Sequence, residues 1–238
     1  MFRGFNYKFD KNIMTYITVA KGYKSGGFYM FAPAGKQSYD KETLWNYEIG
    51  LKSQFLDNTL TFNTSLYYMN ISDMQVLTAI NNQEGYISNA ATATSKGFEL
   101  EANYKATDEI SLFSAFGYNR TTYDTFSDVS GDYKGNYASF APIYNYSIGA
   151  QYRATQGYYA RADLSGYGKM YIDKANKYEQ KAYEIVNAKI GYEQTNYEIY
   201  LYAKNLFDKT HNIEGYYNDS YTYLSDPREI GVQLAYRF

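Results

Sequence analysis

The residue types that most often perform catalysis or bind metals are scarce in this sequence. His211 is the only histidine among 238 residues, and there is no cysteine. A catalytic triad needs a histidine between a nucleophile and an acid, and no Gly-x-Ser-x-Gly elbow is present. Zinc sites use several His and Cys ligands. We therefore expect His211 to be a solvated loop residue, and we expect no catalytic residue, no metal site and no cofactor.

Two groups of acidic residues could bind calcium or act as an acid and base pair. Glu99 and Glu101 alternate onto one face of a predicted strand, about 7 Å apart. Because no third ligand group lies nearby, we favour ion pairs with cations on neighbouring strands, namely Lys52, Lys105 or Arg120. Three aspartates follow one another at four-residue steps in one long loop: Asp124, Asp128 and Asp132. Their spacing does not match a calcium-binding loop, so we expect them to be solvated.

Aromatic and cationic residues of the long loops are the best candidates for contacts with a ligand. Rigid aromatic rings supply contact area at a low entropic cost, and cations attract an anionic ligand. The candidates lie in the first and last long loops: Lys24, Phe28, Tyr29, Tyr217, Tyr221 and Arg228. The alternative interpretation is that the tyrosines form an aromatic girdle at a membrane surface.

The elements that would position these residues are strands, because the sequence alternates with a period of two. In residues 60–68 one face carries Leu60, Phe62 and Leu66, and the other carries polar Asn63 and Ser65. Alternation continues for roughly 9–12 residues per segment, and about 9–11 residues tilted by about 45° cross a bilayer. No apolar run approaches the ~20 residues that a transmembrane helix needs. The pattern predicts an all-β, antiparallel transmembrane β-barrel.

The composition agrees with a membrane barrel. Aromatic residues make up 20% of the chain, with 32 Tyr and 14 Phe, and tyrosine suits a boundary between lipid and water. A tyrosine-rich soluble β-sandwich is the alternative. The net charge of −2 gives no reason to expect nucleic acid as a partner.

About eleven strands are predicted, within one domain that spans residues 1–238. The predicted strands are 2–9, 13–23, 43–55, 60–76, 94–105, 110–123, 140–154, 158–169, 182–193, 197–207 and 228–238. Long polar loops are expected near 24–41, 78–91, 124–139, 170–181 and 208–226, alternating with short turns. An odd number of antiparallel strands cannot close a ring, so we expect the chain to be an incomplete part of a larger barrel.

The alternation also assigns side chains to the two faces of the predicted barrel. A polar lumen should contain the charged residues Glu48, Lys52, Glu99, Glu101, Arg153 and Arg237. The last segment turns apolar residues to the lipid and ends in phenylalanine. It is similar to the signal that the barrel insertion machinery reads in outer-membrane proteins, carried here by Ile230, Val232, Leu234, Tyr236 and Phe238.

Several stretches together resemble the C-terminal part of the barrel of TonB-dependent outer-membrane receptors. The stretches are KGYKSGGF (21–28), YEIGLKS (47–53), DMQV (73–76), SKGFELE (95–101), KNLFDK (204–209) and residues 227–238. Each is weak alone, but their order and spacing span nearly the whole chain.

The resemblance implies a location in the Gram-negative cell outer membrane, in contact with outer-membrane lipid. It implies a 22-stranded barrel around an N-terminal plug, which takes up a ferric siderophore or a similar scarce ligand such as haem or cobalamin. The TonB complex would act only through that plug. We expect residues 1–238 to depart from the family pattern, with no signal peptide, no plug, no TonB-interacting segment and only about half of the barrel. A porin-like passive channel and an outer-membrane barrel enzyme are the alternative functions.

Overall fold

A computed structural model describes residues 2–80, 85–216 and 221–238. Alternating apolar and polar side chains place these residues in long strands, as expected for segments with one lipid-facing side. The long strands are β1 (Phe2–Lys8), β2 (Ile13–Lys24), β3 (Glu42–Phe55), β4 (Leu60–Ala79), β5 (Gly85–Lys105), β6 (Ile110–Thr125), β7 (Tyr144–Arg153), β8 (Tyr158–Tyr167), β9 (Tyr183–Glu193), β10 (Tyr197–Lys204) and β11 (Glu229–Tyr236).

The eleven long strands form one antiparallel sheet in which every strand pairs with its neighbours in sequence. Within the described residues, β1 and β11 are the two edges of this sheet. The predicted fold class and the number of strands are therefore confirmed. The soluble sandwich alternative is wrong, because a sandwich needs two sheets packed face to face. No helix in the described part of the chain is long and apolar enough to span a membrane.

One face of the sheet is apolar although it is exposed. Residues that are directly paired in neighbouring strands share a face, and Ile49 pairs with Leu66, which pairs with Phe98. Ile49 is 47% exposed and Leu66 is 58% exposed. We call this side the apolar face, and we call the opposite side, which carries Glu48 and Glu99, the polar face. An exposed apolar face of this extent indicates a surface that contacts a membrane or another protein.

Short turns join the strands at one end of the sheet, where Asp and Asn provide the turn geometry. The side chain of Asp10 accepts hydrogen bonds from the backbone N–H groups of Asn12 (2.6 Å) and Ile13 (2.9 Å). In the turn between β3 and β4, Asp57 and Asn58 have positive φ angles of 54° and 68°. These residues tolerate the left-handed region better than most, which confirms the turns expected there.

Five connections lie at the other end, and the four long loops among them, all except the connection between β4 and β5, each contain a small hairpin. The paired short strands are Gly27–Phe28 with Ser38–Tyr39, Ser127–Asp128 with Gly131–Asp132, Met170–Tyr171 with Glu179–Gln180, and Asn212–Tyr216 with Tyr221–Leu224. The buried residues of the chain concentrate here: Val76, Ala91, Ala93, Tyr123, Phe126, Tyr133 and Ala138 pack together. The core of the chain therefore lies among its loops, beyond the membrane-spanning part of the sheet.

The predicted loop near residues 78–91 is wrong in extent. β4 continues to Ala79 and β5 begins at Gly85, nine residues before the predicted start. The pairing of these strands shifts register between Ile71 and Val76. A bulge of this kind adds a residue to one strand and interrupts simple alternation, so the pattern ends before the strands do.

Candidate functional site

The polar face carries a connected set of charged and phenolic groups near the middle of the sheet. Glu48 accepts hydrogen bonds from the hydroxyl of Tyr16 (2.6 Å) and from Asn46 (3.3 Å). The ammonium of Lys52 lies 5.7 Å from the centre of the Tyr16 ring. Glu48 and Lys52 thus share one face and one aromatic neighbour.

Glu99 and Glu101 also lie on the polar face, but the expected ladder of ion pairs is absent from the described residues. Glu101 accepts from Asn103 (2.8 Å) and Asn63 (3.4 Å), and Lys105 pairs instead with Asp108 (2.6 Å). Arg120 is paired with Lys96 in the sheet and lies on the apolar face. Short amides therefore replace cations as the partners of Glu101.

A denser network lies on the polar face near the short turns. Arg153 donates to Glu193 through Nε (2.8 Å) and a terminal nitrogen (3.1 Å). The Tyr200 hydroxyl also donates to Glu193 (2.6 Å), and Arg237 pairs with Glu198. Charged groups that satisfy one another in this way hold their side chains against the sheet. Sequence reasoning selected Arg153 and Arg237 but missed Glu193 and Tyr200, although both lie on the polar side of the alternation.

The first long loop holds three of the predicted ligand contacts. Lys24 ends β2 and is exposed, and Phe28 is 71% exposed on the small hairpin. Tyr29 is half-buried, and its ring lies edge-on to Phe31 at 5.9 Å. Phe31 itself is 77% exposed. The loop therefore exposes aromatic rings to solvent, at the end of the sheet where the long loops lie.

Two amide side chains attach this first loop to the β4–β5 hairpin. Gln75 donates to the backbone carbonyls of Ser25 (2.8 Å) and Asp40 (3.1 Å). Asn89 donates to the Asp40 carbonyl (2.9 Å) and accepts from the Asp40 N–H (2.7 Å). Both amides thus hold the base of the loop that carries Phe28. The sequence motif at 73–76 contains Gln75, but nothing in the motif indicates its partners.

The predicted ligand contacts of the last long loop are only partly described. Tyr217 lies outside the described residues, and so does the side chain of Tyr221. Arg228 lies at the base of this loop, where its backbone N–H donates to Asp208 (2.8 Å). Lys24 ends β2, whereas Arg228 precedes β11, so the open sheet places these two cations at opposite sides.

The centre of the loop region is an ion pair between Asp128 and Lys174. The Asp128 carboxylate has no exposed surface and Lys174 is 9% exposed. Asp128 also accepts from the N–H groups of Ala79 (2.9 Å) and Ser130 (2.8 Å) and from the Tyr133 hydroxyl (2.9 Å). Asp128 was expected to be solvated, and this expectation is wrong, because its partner lies 46 residues away in another loop.

We call this ion pair and the packed residues around it the loop cluster. The Lys174 ammonium also donates to the Leu77 carbonyl (3.1 Å) and lies 5.1 Å from the centre of the Phe126 ring. Burial alone would raise the pKa of Asp128, but its hydrogen bonds outweigh burial and hold that pKa below the usual range. The carboxylate is therefore charged at neutral pH and satisfied by its neighbours.

The loop cluster joins three separate loops. Lys174 connects the loop after β8 to the β4–β5 hairpin and to the loop after β6. Asn176 reinforces this junction, since it accepts from the Tyr137 N–H (2.7 Å) and donates to the Tyr137 carbonyl (2.9 Å). Segments that are joined by buried polar contacts open less readily than free loops.

His211 packs into an aromatic stack, which corrects the expectation of a solvated residue. Its ring lies 4.0 Å from that of Tyr183 at an angle of 14°, and Tyr183 stacks on Tyr167 at 5.1 Å. Burial, and after it the positive charge of Lys209, lower the pKa of His211. The imidazole is therefore neutral at pH 7. Within the described ranges, no three His, Cys, Asp or Glu residues form a metal site.

These features define the class of the protein. Long antiparallel strands, an exposed apolar face, a charged polar face and structured loops at one end are those of an outer-membrane β-barrel. The family model "TonB dependent receptor-like, beta-barrel" matches residues 4–206. The chain belongs to this family, which confirms the resemblance seen in the sequence and the location in the outer membrane.

Relatives and solved structures agree with the family. The chain is 25% identical to the ferrioxamine receptor of Yersinia enterocolitica, over 98% of this chain and 32% of the relative. It is 29% identical to the pesticin receptor of Yersinia pestis, over 90% of this chain and 32% of the relative. The crystal structure of the ferric yersiniabactin uptake receptor from Yersinia pestis superposes with a TM-score of 0.84, at 24% identity.

The alignment lengths define what part of a receptor the chain represents. It spans about a third of the length of the curated relatives it matches. The superposition on the yersiniabactin receptor covers 100% of this chain and 37% of that chain. The shared part is barrel strands and their loops.

Proposed function

We propose that residues 1–238 are the C-terminal portion of the barrel of a TonB-dependent receptor, and that this receptor takes up a ferric siderophore. The family match over residues 4–206 carries the proposal. It is supported by relatives named as receptors for ferrioxamine and ferric pyoverdine and as an outer-membrane ferrichrome transporter. The energy would come from the TonB complex, through a plug that is not part of these residues.

The geometry supports capture of the ligand at the end of the sheet with the long loops. Ferric siderophores are bulky and carry aromatic or charged groups, and Phe28 and Phe31 present exposed rings there. Gln75 and Asn89 hold the base of their loop, which lowers the entropy lost on binding. The charged polar face, with Glu48 and Arg153, would line the lumen against the plug.

The apolar face would contact lipid, and the insertion machinery would read its last strand. The outward residues Ile230, Val232 and Leu234 are 63%, 63% and 71% exposed. Together with Tyr236 they form a continuous apolar row on β11, and Phe238 follows two residues beyond the end of the strand. The insertion machinery would recognise this apolar row as the signal.

Uptake of iron-loaded siderophores tests the transport proposal. Cells that lack their own receptors would express the receptor that carries this chain, and be given ⁵⁵Fe bound to ferrioxamine, ferrichrome or yersiniabactin. We expect saturable uptake of at least one complex, and loss of uptake in a strain without TonB. Solute entry that is unsaturable and independent of TonB would contradict the proposal and favour the passive channel.

A further inference from the structure

Two cations lie side by side on the apolar face, where lipid is expected. Lys96 on β5 is paired directly with Arg120 on β6, and both side chains are exposed. Like charges directly opposite each other in an antiparallel pair are destabilising. Neither cation takes part in any of the seven ion pairs formed within the described residues. The repulsion between Lys96 and Arg120 is therefore not offset by any of these seven ion pairs.

The height of these cations coincides with the outer edge of the apolar band. Tyr104 and Ile110 lie at the ends of β5 and β6 that are joined by a short turn. Lys96 is eight residues along β5 from Tyr104, and Arg120 is ten residues along β6 from Ile110. At about 3.3 Å per residue and a tilt of about 40°, these distances span roughly 20–25 Å of membrane thickness. The apolar band of such barrels is about 25 Å tall.

The neighbours of the two cations are those of a membrane interface. One pair below them, Phe98 and Tyr118 stack at 5.8 Å and 23°, as expected for an aromatic girdle. Along the same row, Lys96 pairs with Tyr68, which is 43% exposed. Arg120 lies 6.0 Å from the centre of the Tyr137 ring.

We propose that Lys96 and Arg120 bind the phosphate of a phosphate-bearing lipid of the outer leaflet, with the Tyr68 hydroxyl as a further donor. Neighbouring strands are about 4.8 Å apart, so two adjacent cations can contact one phosphate group. Arginine offers two parallel donors to phosphate oxygens and lysine a point charge. The acyl chains of the lipid would then lie over Phe98 and the apolar face below.

Phosphate-bearing lipid A is the probe that tests this site. The protein would be purified from outer membranes in detergent and titrated with diphosphoryl lipid A, with retained lipid counted by native mass spectrometry. We expect K96Q/R120Q to bind about 30-fold more weakly than the parent, because each cation adds to attraction by an anionic membrane surface. The matched control is K134Q/K177Q, which removes two exposed loop lysines and should bind like the parent.

Three outcomes would overturn the proposal. The first is equal affinity of K96Q/R120Q and the parent for diphosphoryl lipid A. The second, which needs no variant, is unchanged affinity of the parent protein when both phosphates are removed from the lipid. The third is displacement of lipid A by millimolar inorganic phosphate, which would show a site for free phosphate. K96R/R120K keeps both charges and should retain binding, which separates loss of charge from loss of folding.

Discussion

Removing the Lys174 ammonium should release the loops at the outer end of the sheet. K174M keeps the length of the side chain but leaves the Asp128 carboxylate, which has no exposed surface, without its cation. Three donors to that carboxylate remain, from Ala79, Ser130 and Tyr133. Breaking a buried ion pair by removing one partner destabilises by about 3–5 kcal/mol. At the lower end, this corresponds to about 150-fold more frequent opening of the loops.

Hydrogen exchange followed by mass spectrometry measures this opening directly. Peptides from 126–143 and 170–180 should exchange about 150-fold faster in K174M, while peptides from the membrane-spanning strands keep their rates. The matched control is K169M, which removes a lysine whose ion pair with Glu179 is 41% and 38% exposed. An exposed pair contributes only about 0–1 kcal/mol. Equal exchange in K174M and K169M would refute the assignment of Lys174 as the centre of the loop cluster.

Three further predictions concern other parts of the molecule. Replacing Gln75 and Asn89 together by Ala should loosen the first long loop and weaken siderophore binding about tenfold, since an intramolecular hydrogen bond contributes about 0.5–1.5 kcal/mol. His211 has a lowered pKa, so its stabilising stack is complete above about pH 6.5 and should be lost as the pH falls further. Exchange of 208–212, corrected for the intrinsic pH dependence of amide exchange, should therefore rise on acidification. L66R should destabilise the assembled protein by about 2–4 kcal/mol, because Leu66 faces lipid. Less protein should therefore reach the assembled state.

Ligand affinity that is unchanged in the double Ala variant, measured by titration with the transported complex, would exclude the first loop from binding. H211F keeps a stacking ring without a titrating proton and should show no rise in exchange; a rise equal to the parent's would place the pH dependence elsewhere. S65R adds the same charge to the polar face and should assemble normally, as judged by heat-dependent migration on a gel. Equal loss in S65R and L66R would contradict the assignment of the faces.

The strands could be predicted from the sequence because the environment of a barrel imposes a simple period. Side chains such as Leu66 and Ile148 face lipid, and their neighbours Ser65 and Gly149 face the other way, so the pattern is local. The prediction failed at the beginning of β5, where residues 88–93 are small or polar on both faces and show no apolar–polar alternation. There the strand is held by pairing with β4 and by packing in the loop cluster.

The loops could not be predicted, because their stabilising contacts join residues that are distant in sequence. Asp128 looked like a solvated aspartate, and only the position of Lys174, 46 residues later, shows otherwise. His211 was similar, since its stack depends on Tyr183 in another element. Local patterns carry information about strands and turns, but not about which loop packs on which.

The union of three loops through Lys174 affects how such a receptor can be redesigned. Exchanging a single loop with that of a relative would remove the cation or its carboxylate, or would shift the backbone carbonyl at Leu77 to which the ammonium also donates. A chimera meant to change ligand preference should therefore transplant the hairpin between β4 and β5 and the segments after β6 and β8 as one block. A graft of the segment after β6 alone, or of the segment after β8 alone, would leave one member of the ion pair without its partner.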